Sequence, residues 1–410
     1  MDPVTSALVR LLGRHAADPP RGRVADYIPE LAVADAEAFA MSMVSVHGHV
    51  YEAGDVEQSF TIQSVSKPFV YALVLADLGL DEVSRHIGFE PSGEPFNAIS
   101  LEPGTGRPAN ALINAGAIVA TSLIAGTPEE SFTRIREGLS AFAGRTLDVD
   151  EQVYLSEAAT GDRNRALGYL TLSQGVLGRS AQEATDIYFR QCALRVTATD
   201  VAIMAATLAN MGVNPVTRKR VVDEDAVRTT LSVMATCGMY DNSGEWMVRV
   251  GLPAKSGVGG GIAAVLPGEL GLGVFSPPLD ARGNSVRGMA ALQETSERLG
   301  LHMFMPPGVH RSPISASSVD SDRLTLALRG ELDFVAAEGI GRHLQEMAAT
   351  FPLTAVDLDV TDVTVVRPIA AELLQATGRD LLARGIRLIP SDREKVPEAE
   401  GSRNGDSSKD

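Results

Sequence analysis

The chemistry that this sequence offers most clearly is acyl transfer by a serine that uses a lysine as its base. Ser64 and Lys67 stand three residues apart in a Ser-x-x-Lys pattern. Residues three apart share one face of a helix, so the Ser64 hydroxyl and the Lys67 amine can meet there. A lysine that is buried away from water loses its proton more easily and can then accept the proton of the serine. Ser64 is therefore a candidate nucleophile that needs no histidine.

The residues around this pair predict a helix that positions them. Residues 69–75 form an apolar run of the kind that is typical of a buried helix. Pro68 is tolerated only in the first turn of a helix, so the helix is expected to start close to Ser64. Free backbone N–H groups at such a start favour developing negative charge. The alternative interpretation is a buried lysine that is paired for structural reasons.

A second segment predicts a strand that faces the serine. Lys255, Ser256 and Gly257 form a Lys-Ser/Thr-Gly pattern, which recurs in serine acyl enzymes that carry Ser-x-x-Lys. Glycines here let a substrate approach the backbone closely. A backbone N–H of this segment can join that of Ser64 as an oxyanion hole, and losing one such donor typically costs about 3–4 kcal/mol. The rival interpretation, a phosphate-binding loop, is disfavoured because the order Gly-Lys-Ser/Thr is absent.

Several other polar residues are suited to a small charged substrate. Asn97 and Asn114 carry amides that both donate and accept hydrogen bonds. Turn formation is the alternative for Asn97, whereas Asn114 stands between apolar residues. Glu157 lies seven residues before Asn164, and its carboxylate can hold an ammonium group. The alternative interpretation of Glu157 is an exposed charge at the end of a helix.

Two tyrosines are candidates for proton transfer or substrate contact. Tyr188 lies four residues before Cys192, and Tyr240 lies three residues after Cys237. A buried tyrosine near a lysine can relay a proton. More often, however, a buried tyrosine belongs to the core and has its hydroxyl satisfied there.

Composition limits the classes of partner and compartment. The chain has 410 residues, of which 44% are hydrophobic and 21% charged, enough for two or three domains with a sizeable core. Its net charge of −16 argues against nucleic acids and anionic membranes as partners. No apolar run approaches the ~20 residues of a membrane span, and no signal peptide is evident. The two cysteines suit a reducing cytoplasm.

The chain is expected to contain two folded parts. Residues 1–305 mix strands and helices, and a Pro/Ser/Gly-rich linker follows at 306–318. Residues 319–390 predict a small α/β layer, in which strands and helices alternate at 324–328, 334–349, 355–360, 369–382 and 386–389. The polar tail of residues 391–410 is expected to be disordered.

Residues 1–305 resemble the serine-dependent glutaminases, which share the fold of β-lactamases and penicillin-binding proteins. The resemblance rests on residues 63–67, 90–97, 113–118, 238–241 and 251–261, on Glu157 with Asn164, and on Tyr188 with Cys192. It implies an α/β and α+β fold, with a mixed sheet and a helical subdomain. One departure is Ala111, which replaces the proline that usually follows the first asparagine of the family's segment.

The resemblance also implies an activity and roles for the candidate residues. The family hydrolyses L-glutamine to L-glutamate and ammonia, without a metal or organic cofactor, and its members are typically homodimers or homotetramers. Ser64 is implied as nucleophile, Lys67 as its base, Tyr188 as a second proton relay and Lys255 as a supporting residue. The implied substrate-binding residues are Ser64, Asn114, Glu157, Asn164, Tyr188, Tyr240 and, through its backbone N–H, Val258.

The second part resembles a STAS domain, the small α/β module of anti-sigma-factor antagonists and sulfate transporters. The resemblance rests on residues 330–333 and on the order of strands and helices. Switching members carry a phosphorylatable hydroxyl at the start of the helix after the second strand, but residues 365–369 contain none. An assembly or regulatory role is therefore expected. The alternatives for the whole chain are another serine acylase of the same fold, such as one acting on β-lactams, and a non-enzymatic scaffold.

Overall fold

The computed structural model describes residues 2–16, 22–92, 101–305 and 312–390. Asn97 lies outside these described residues, as do the predicted tail and the first part of the predicted linker. The chain divides into two compact units. The larger unit consists of Leu8–Glu297 and Leu301–Met303, and the smaller unit consists of Met1–Ala7, Arg298–Gly300 and Phe304–Asp410. Within the described residues, no helix combines the length and apolar character needed to cross a membrane.

The helices and strands of the described residues follow in chain order. The helices are α1 (Pro3–Ala16), α2 (Pro29–Ala32), α3 (Lys67–Leu78), α4 (Leu80–His86), α5 (Asn114–Ser122), α6 (Pro128–Ala143), α7 (Glu151–Thr160), α8 (Asp162–Ser173), α9 (Ala181–Cys192), α10 (Ala198–Ala209), α11 (Glu224–Cys237), α12 (Ser243–Arg249), α13 (Val286–Leu299), α14 (Phe334–Thr350) and α15 (Pro368–Ala383). The strands are β1 (Ala40–Ser45), β2 (Val50–Gly54), β3 (Phe60–Thr61), β4 (Arg195–Val196), β5 (Ala254–Ser256), β6 (Gly261–Leu266), β7 (Leu270–Phe275), β8 (Ile314–Asp320), β9 (Arg323–Leu332), β10 (Ala355–Val366) and β11 (Arg387–Pro390).

The larger unit contains a five-stranded sheet of order β2-β1-β7-β6-β5. β1 and β7 are buried along their whole length, whereas β2 alternates between buried and exposed residues. Strands that are buried throughout need cover on both faces, and α10 packs against β1, β6 and β7. Most of the remaining helices lie in the chain between β2 and β5, and β3 pairs with β4 as a separate short ribbon.

The expectation of a mixed sheet is wrong for these five strands, because every pairing in this sheet is antiparallel. Three of the four pairs join strands that follow one another in the chain: β1 with β2, β5 with β6, and β6 with β7. Only four or fewer residues separate such strands. A connection this short reverses the chain, whereas a parallel pair needs a crossover of about a dozen residues or more.

The helix predicted next to Ser64 is present, but it starts three residues later. A 3₁₀ turn, Gln63–Ser66, precedes α3, which begins at Lys67 with Pro68 in its first turn. That is where proline's missing N–H costs no helical hydrogen bond. α3 is buried from Lys67 to Leu75, and it ends at Gly79, whose φ of 78° suits glycine. Ser64 thus lies in the turn that leads into a buried helix.

The smaller unit has the predicted alternation of strands and helices and one further strand. Its sheet has the order β11-β10-β9-β8, in which β9, β10 and β11 are parallel. β8 pairs antiparallel with β9 and includes residues 314–318, which the sequence assigned to the linker. Most residues of β8 are exposed, so its sequence lacks the apolar alternation that identifies a half-buried strand.

Close packing between α10 and β7 predicts a specific loss of stability. A Cβ added at Gly273 would lie 2.1 Å from the backbone oxygen of Ala198 and 2.5 Å from the backbone nitrogen of Ala202. We expect Gly273→Ala to lower the free energy of unfolding by about 1–3 kcal/mol, because the helix must move away from the strand. Thermal unfolding measures this. Gly13→Ala on α1, where no atom lies within 4 Å of the added Cβ, is the control, and equal melting temperatures for both variants would contradict the prediction.

Candidate active site

Ser64 is buried in its 3₁₀ turn, and its hydroxyl hydrogen-bonds to the phenol of Tyr240. That phenol donates its proton to the backbone oxygen of Ser256, at 3.0 Å. A phenol has only one proton, so the Tyr240 oxygen is left to accept from Ser64. Tyr240 therefore links the turn that carries the candidate nucleophile to β5.

Lys67 is the candidate base, and its amine is fully buried at the start of α3. Burial lowers the pKa of Lys67 to about 7, although the nearby Cys192 acts in the opposite direction. The amine donates to Oδ1 of Asn114 at 2.6 Å and to the backbone oxygen of Leu112 at 3.3 Å. A neutral amine has two N–H bonds and one lone pair. With both N–H bonds directed at these oxygens, the lone pair remains available to accept a proton.

Asn114 connects this lysine to a second predicted binding residue. Its Oδ1 accepts from Lys67, and its Nδ2 donates to Oδ1 of Asn164 at 3.0 Å. These two bonds fix the orientation of both amides. Asn164 uses its oxygen towards Asn114, so its NH₂ group is the part that can donate to an anion.

The loop before Asn114 is shaped by Asn110, although Ala111 replaces the family's usual proline. Oδ1 of Asn110 accepts from the backbone N–H groups of Leu112 and Ile113, at 2.9 and 3.2 Å. Its Nδ2 donates to the backbone oxygen of Glu90 at 2.8 Å. Such side-chain bonds to the following backbone form a turn without proline. The loop therefore presents the Leu112 oxygen to Lys67 without proline.

Glu157 is buried, against the alternative of an exposed helix end. Burial raises the pKa of Glu157 to about 7, while hydrogen bonds from Gln63 and Tyr27 act to lower it. The hydroxyl of Tyr27 lies 3.1 Å from Oε1 of Glu157 and 3.2 Å from Oε1 of Gln63. Glu157 is thus a carboxylate that titrates near neutral pH and can pair with a cation.

Tyr27 and Gln63 were not predicted as site residues. Tyr27 is half-exposed and lies 36 residues before Gln63 and 130 before Glu157, so only the folded chain brings it here. Gln63 directly precedes Ser64, and that position was the one available indication. Its φ of 49° is unusual for a residue other than glycine, and such conformations are often found at functional sites.

The two predicted tyrosines have different hydrogen-bond partners. Tyr188, predicted as the proton relay, hydrogen-bonds to Cys192 one turn later on α9. Burial raises the pKa of both side chains. The phenol that contacts the Ser64 hydroxyl belongs to Tyr240, which was predicted only to bind substrate. Tyr188 is nevertheless close enough to Glu157 and Tyr240 for their charges to affect its pKa.

Lys255 is a second fully buried lysine in this region. Its amine donates to the backbone oxygen of Ser256 and lies 4.1 Å from the centre of the Tyr240 ring. Burial, and then the charge of Lys67, lower the pKa of Lys255 well below its usual value. Lys255 and Tyr240 thus share one backbone acceptor, so Lys255 helps to hold the phenol that contacts Ser64.

Val258 lies in a turn packed against the Ser64 segment. The turn is closed by hydrogen bonds from Gly257 N–H to the oxygen of Gly261 and from Gly260 N–H to the oxygen of Gly257, at 2.9 and 3.0 Å. Neither bond uses the N–H of Val258. A Cβ at Gly257 would lie 2.9 Å from the Val65 side chain, so glycine allows the two backbones to approach. The described part of the predicted site is therefore assembled in one place.

Comparisons with known proteins identify the family of the chain. The family model described as Glutaminase matches residues 22–304. Glutaminase 1 of Bradyrhizobium diazoefficiens is 50% identical over 341 residues, which cover 82% of this chain and 55% of that protein. The chain thus spans little more than half the length of that relative. The Corynebacterium glutamicum glutaminase is 41% identical over 382 residues, and 92% of each chain is covered.

Solved structures give the same result. The crystal structure of Mglu is 40% identical and has a TM-score of 0.74, with 97% of this chain and 100% of that chain covered. The structure described as "Probable glutaminase ybaS" is 42% identical and has a TM-score of 0.72, with 74% and 98% covered. These neighbours are glutaminases of the β-lactamase-like fold. The chain belongs to the glutaminase family, the hydrolases that convert L-glutamine to L-glutamate and ammonia.

Proposed function

We propose that this chain hydrolyses L-glutamine through a γ-glutamyl ester on Ser64. The observation that carries this mechanism is the buried Lys67 amine, whose N–H bonds are directed at Asn114 and Leu112. A neutral amine held in this way, three residues from the serine, can act as a general base near neutral pH.

In the first half-reaction, the Ser64 oxygen attacks the side-chain amide carbon of glutamine. Rotation of the Ser64 hydroxyl turns its proton from Tyr240 to Lys67, which accepts it. The backbone N–H groups of Ser64 and Val258 stabilise the negative oxygen of the tetrahedral intermediate. The carbon–nitrogen bond then breaks as Lys67, directly or through Tyr240, returns the proton to the leaving nitrogen, and ammonia departs.

In the second half-reaction, water attacks the ester carbon and gives a proton to Lys67. The bond to the serine oxygen breaks, Ser64 regains the proton, and L-glutamate is released. We assign the relay between Lys67 and the leaving nitrogen to Tyr240, because its phenol contacts the Ser64 hydroxyl. Tyr188 is assigned to the binding pocket.

The proposed binding contacts use the two ends of the amino acid. Glu157, supported by Tyr27 and Gln63, pairs with the α-ammonium group. Asn164 donates its NH₂ group to the α-carboxylate, with Asn114 holding its orientation. These proposed contacts give a free amino acid an acceptor for its positive charge and a donor for its negative charge, both near the proposed nucleophile.

For the smaller unit we propose a STAS-like role in assembly or regulation. The β-α-β-α-β order of β9 to β11 supports this assignment, and α15 begins at Pro368 after Arg367, without a hydroxyl to phosphorylate. We also propose a homodimer or homotetramer. The two free cysteines, Cys192 and Cys237, are buried and support a cytoplasmic location.

Removal of the Ser64 hydroxyl should abolish turnover. We expect Ser64→Ala to lower kcat by at least about 10⁴-fold, as loss of a nucleophile does in other serine enzymes. Ammonia release from L-glutamine measures this, and mass spectrometry after treatment with a glutamine-like electrophile locates the adduct. Ser296→Ala is the control, because that buried hydroxyl donates a hydrogen bond to the backbone oxygen of Val250, away from the Ser64 turn in sequence and outside the proposed machinery. Equal rates for Ser64→Ala and the unmodified chain would refute the assignment.

The pH dependence of kcat/KM should show two proton losses near pH 7. The base requires neutral Lys67, whose pKa burial lowers to about 7, and ammonium binding requires ionised Glu157, whose pKa burial raises to about 7. Both requirements make kcat/KM rise with pH, more steeply than one ionisation allows, and level off above the two pKa values. In Glu157→Gln the slope should fall to that of one ionisation. A slope unchanged by this substitution would contradict the role of Glu157.

Removal of the smaller unit should change assembly more than chemistry. We expect a chain that ends at residue 311 to form smaller oligomers and to keep the kcat of the full chain, because the site residues lie before residue 260. Light scattering measures the mass, and ammonia release measures kcat. An unchanged mass together with an unchanged KM and kcat would count against an assembly or regulatory role.

A further inference from the structure

A chain of buried polar side chains lies beneath the Ser64 turn and has no place in the mechanism above. Ser66, Gln191 and Thr121 are each fully buried. They come from the 3₁₀ turn, α9 and α5, respectively. Nε2 of Gln191 donates to Oγ of Ser66 at 2.9 Å, and Oγ of Thr121 lies 3.0 Å from Oε1 of Gln191.

The donors and acceptors of these three side chains fix the direction of the hydrogen bonds between them. Ser66 accepts from Gln191, so its single proton is free to be donated, and it goes to the backbone oxygen of Gln63 at 2.7 Å. If the amide of Gln191 turned over, its Oε1 would face Oγ of Ser66, and the single Ser66 proton would then have to choose between that oxygen and the backbone oxygen of Gln63. The series of hydrogen bonds therefore ends at the backbone oxygen of Gln63.

Gln63 needs such a restraint. Its φ of 49° lies in the left-handed region, which costs a non-glycine residue energy and persists only where the surroundings hold it. Its side chain hydrogen-bonds to Glu157 and lies within 3.2 Å of the Tyr27 hydroxyl, while the next residue is Ser64. A change in the Gln63 backbone would thus alter both the ammonium-binding carboxylate and the nucleophile.

We propose that Ser66 and Gln191 are positioning residues, which hold the Gln63 backbone so that its side chain orients Glu157 while Ser64 stays in place. This inference rests on the proposed function, because it assigns Glu157 to the substrate ammonium. Neither residue touches the substrate. Both act through Gln63, over the hydrogen bonds given above.

The competing explanation is that the pair only stabilises the core. A buried polar group that loses its partner is costly, whereas replacing both partners with apolar groups can be nearly neutral. Thr121 has a second acceptor, the backbone oxygen of Ala117 at 2.9 Å, so it does not become unpaired when Gln191 is replaced. A double replacement therefore separates stability from positioning.

The experiment compares Ser66→Ala, Gln191→Met and the double variant in the full chain. We expect both single variants to melt at lower temperatures and the double variant to recover much of that loss. All three should keep kcat/KM for L-glutamine roughly 10- to 100-fold below the unmodified chain, because the nucleophile's turn is displaced. If the double variant recovers kcat/KM together with its melting temperature, the pair is structural and the proposal is overturned.

A second measurement does not depend on the chemistry of Ser64. Loss of the Gln63 bond raises the pKa of Glu157, so the pH midpoint of L-glutamate binding, followed by calorimetry, should move upward in the variants. A midpoint unchanged in the double variant overturns the proposal, even if Ser64→Ala confirms the nucleophile. Conversely, a shifted midpoint supports positioning even if the Ser64 assignment fails. Thr185→Val is the control, because its buried hydroxyl hydrogen-bonds to the backbone of Ala181 and Gln182 within α9, and its midpoint should not move.

Discussion

The site depends above all on the burial of the Lys67 amine. In water this amine would be protonated and could not take a proton from a serine. Exclusion from water makes the charged form costly, while two oxygen acceptors satisfy the neutral form. The apolar sequence of α3 supplies the first condition, and the loop around Asn110 supplies the second. In the proposed mechanism, one helix and one loop therefore provide what a histidine supplies in other serine enzymes.

Exclusion from water also determines the charge states of Lys255 and Glu157. A second lysine, Lys255, lies near Lys67. If both amines were protonated, the repulsion between their charges would be strong in a site with little water. Burial moves both lysines toward their neutral forms and Glu157 toward its protonated form. The empty site thus carries little net charge at neutral pH. A zwitterionic ligand, which brings one charge of each sign, matches such a site better than a cation or an anion does.

The parts of the site that depend on local spacing could be predicted from the sequence. The Ser64–Lys67 pair, the limit that Pro68 sets on the helix and the strand at Lys255 each need only a few neighbouring residues. Tyr27 could not be found in this way, because its partners are 36 and 130 residues away. The sequence also did not predict that Tyr240, rather than Tyr188, contacts the Ser64 hydroxyl. Each stands within four residues of a cysteine in the sequence, and only the folded chain shows which phenol contacts the Ser64 hydroxyl.

The same division applies to the fold. Long apolar or alternating stretches predicted the helix after Ser64 and the elements from β9 to β11, whereas the Ser-rich β8 has too few buried side chains to produce a pattern. The pair β1 and β7 sets the direction of β1 and β2 relative to β5, β6 and β7, and these two strands are more than 220 residues apart. Resemblance implied a mixed sheet there, and the short connections between neighbouring strands decided otherwise.

The buried carboxyl of Glu157 has a consequence for the solution around the enzyme. With a pKa of about 7, it holds roughly half a proton at pH 7 in the empty site. An ammonium group bound beside it favours the ionised form, so that fraction of a proton must leave for the solvent as the ligand enters. With the pairing proposed for Glu157, ligand entry at neutral pH releases a proton from this carboxyl, and the measured heat of binding includes the protonation of whichever buffer receives that proton.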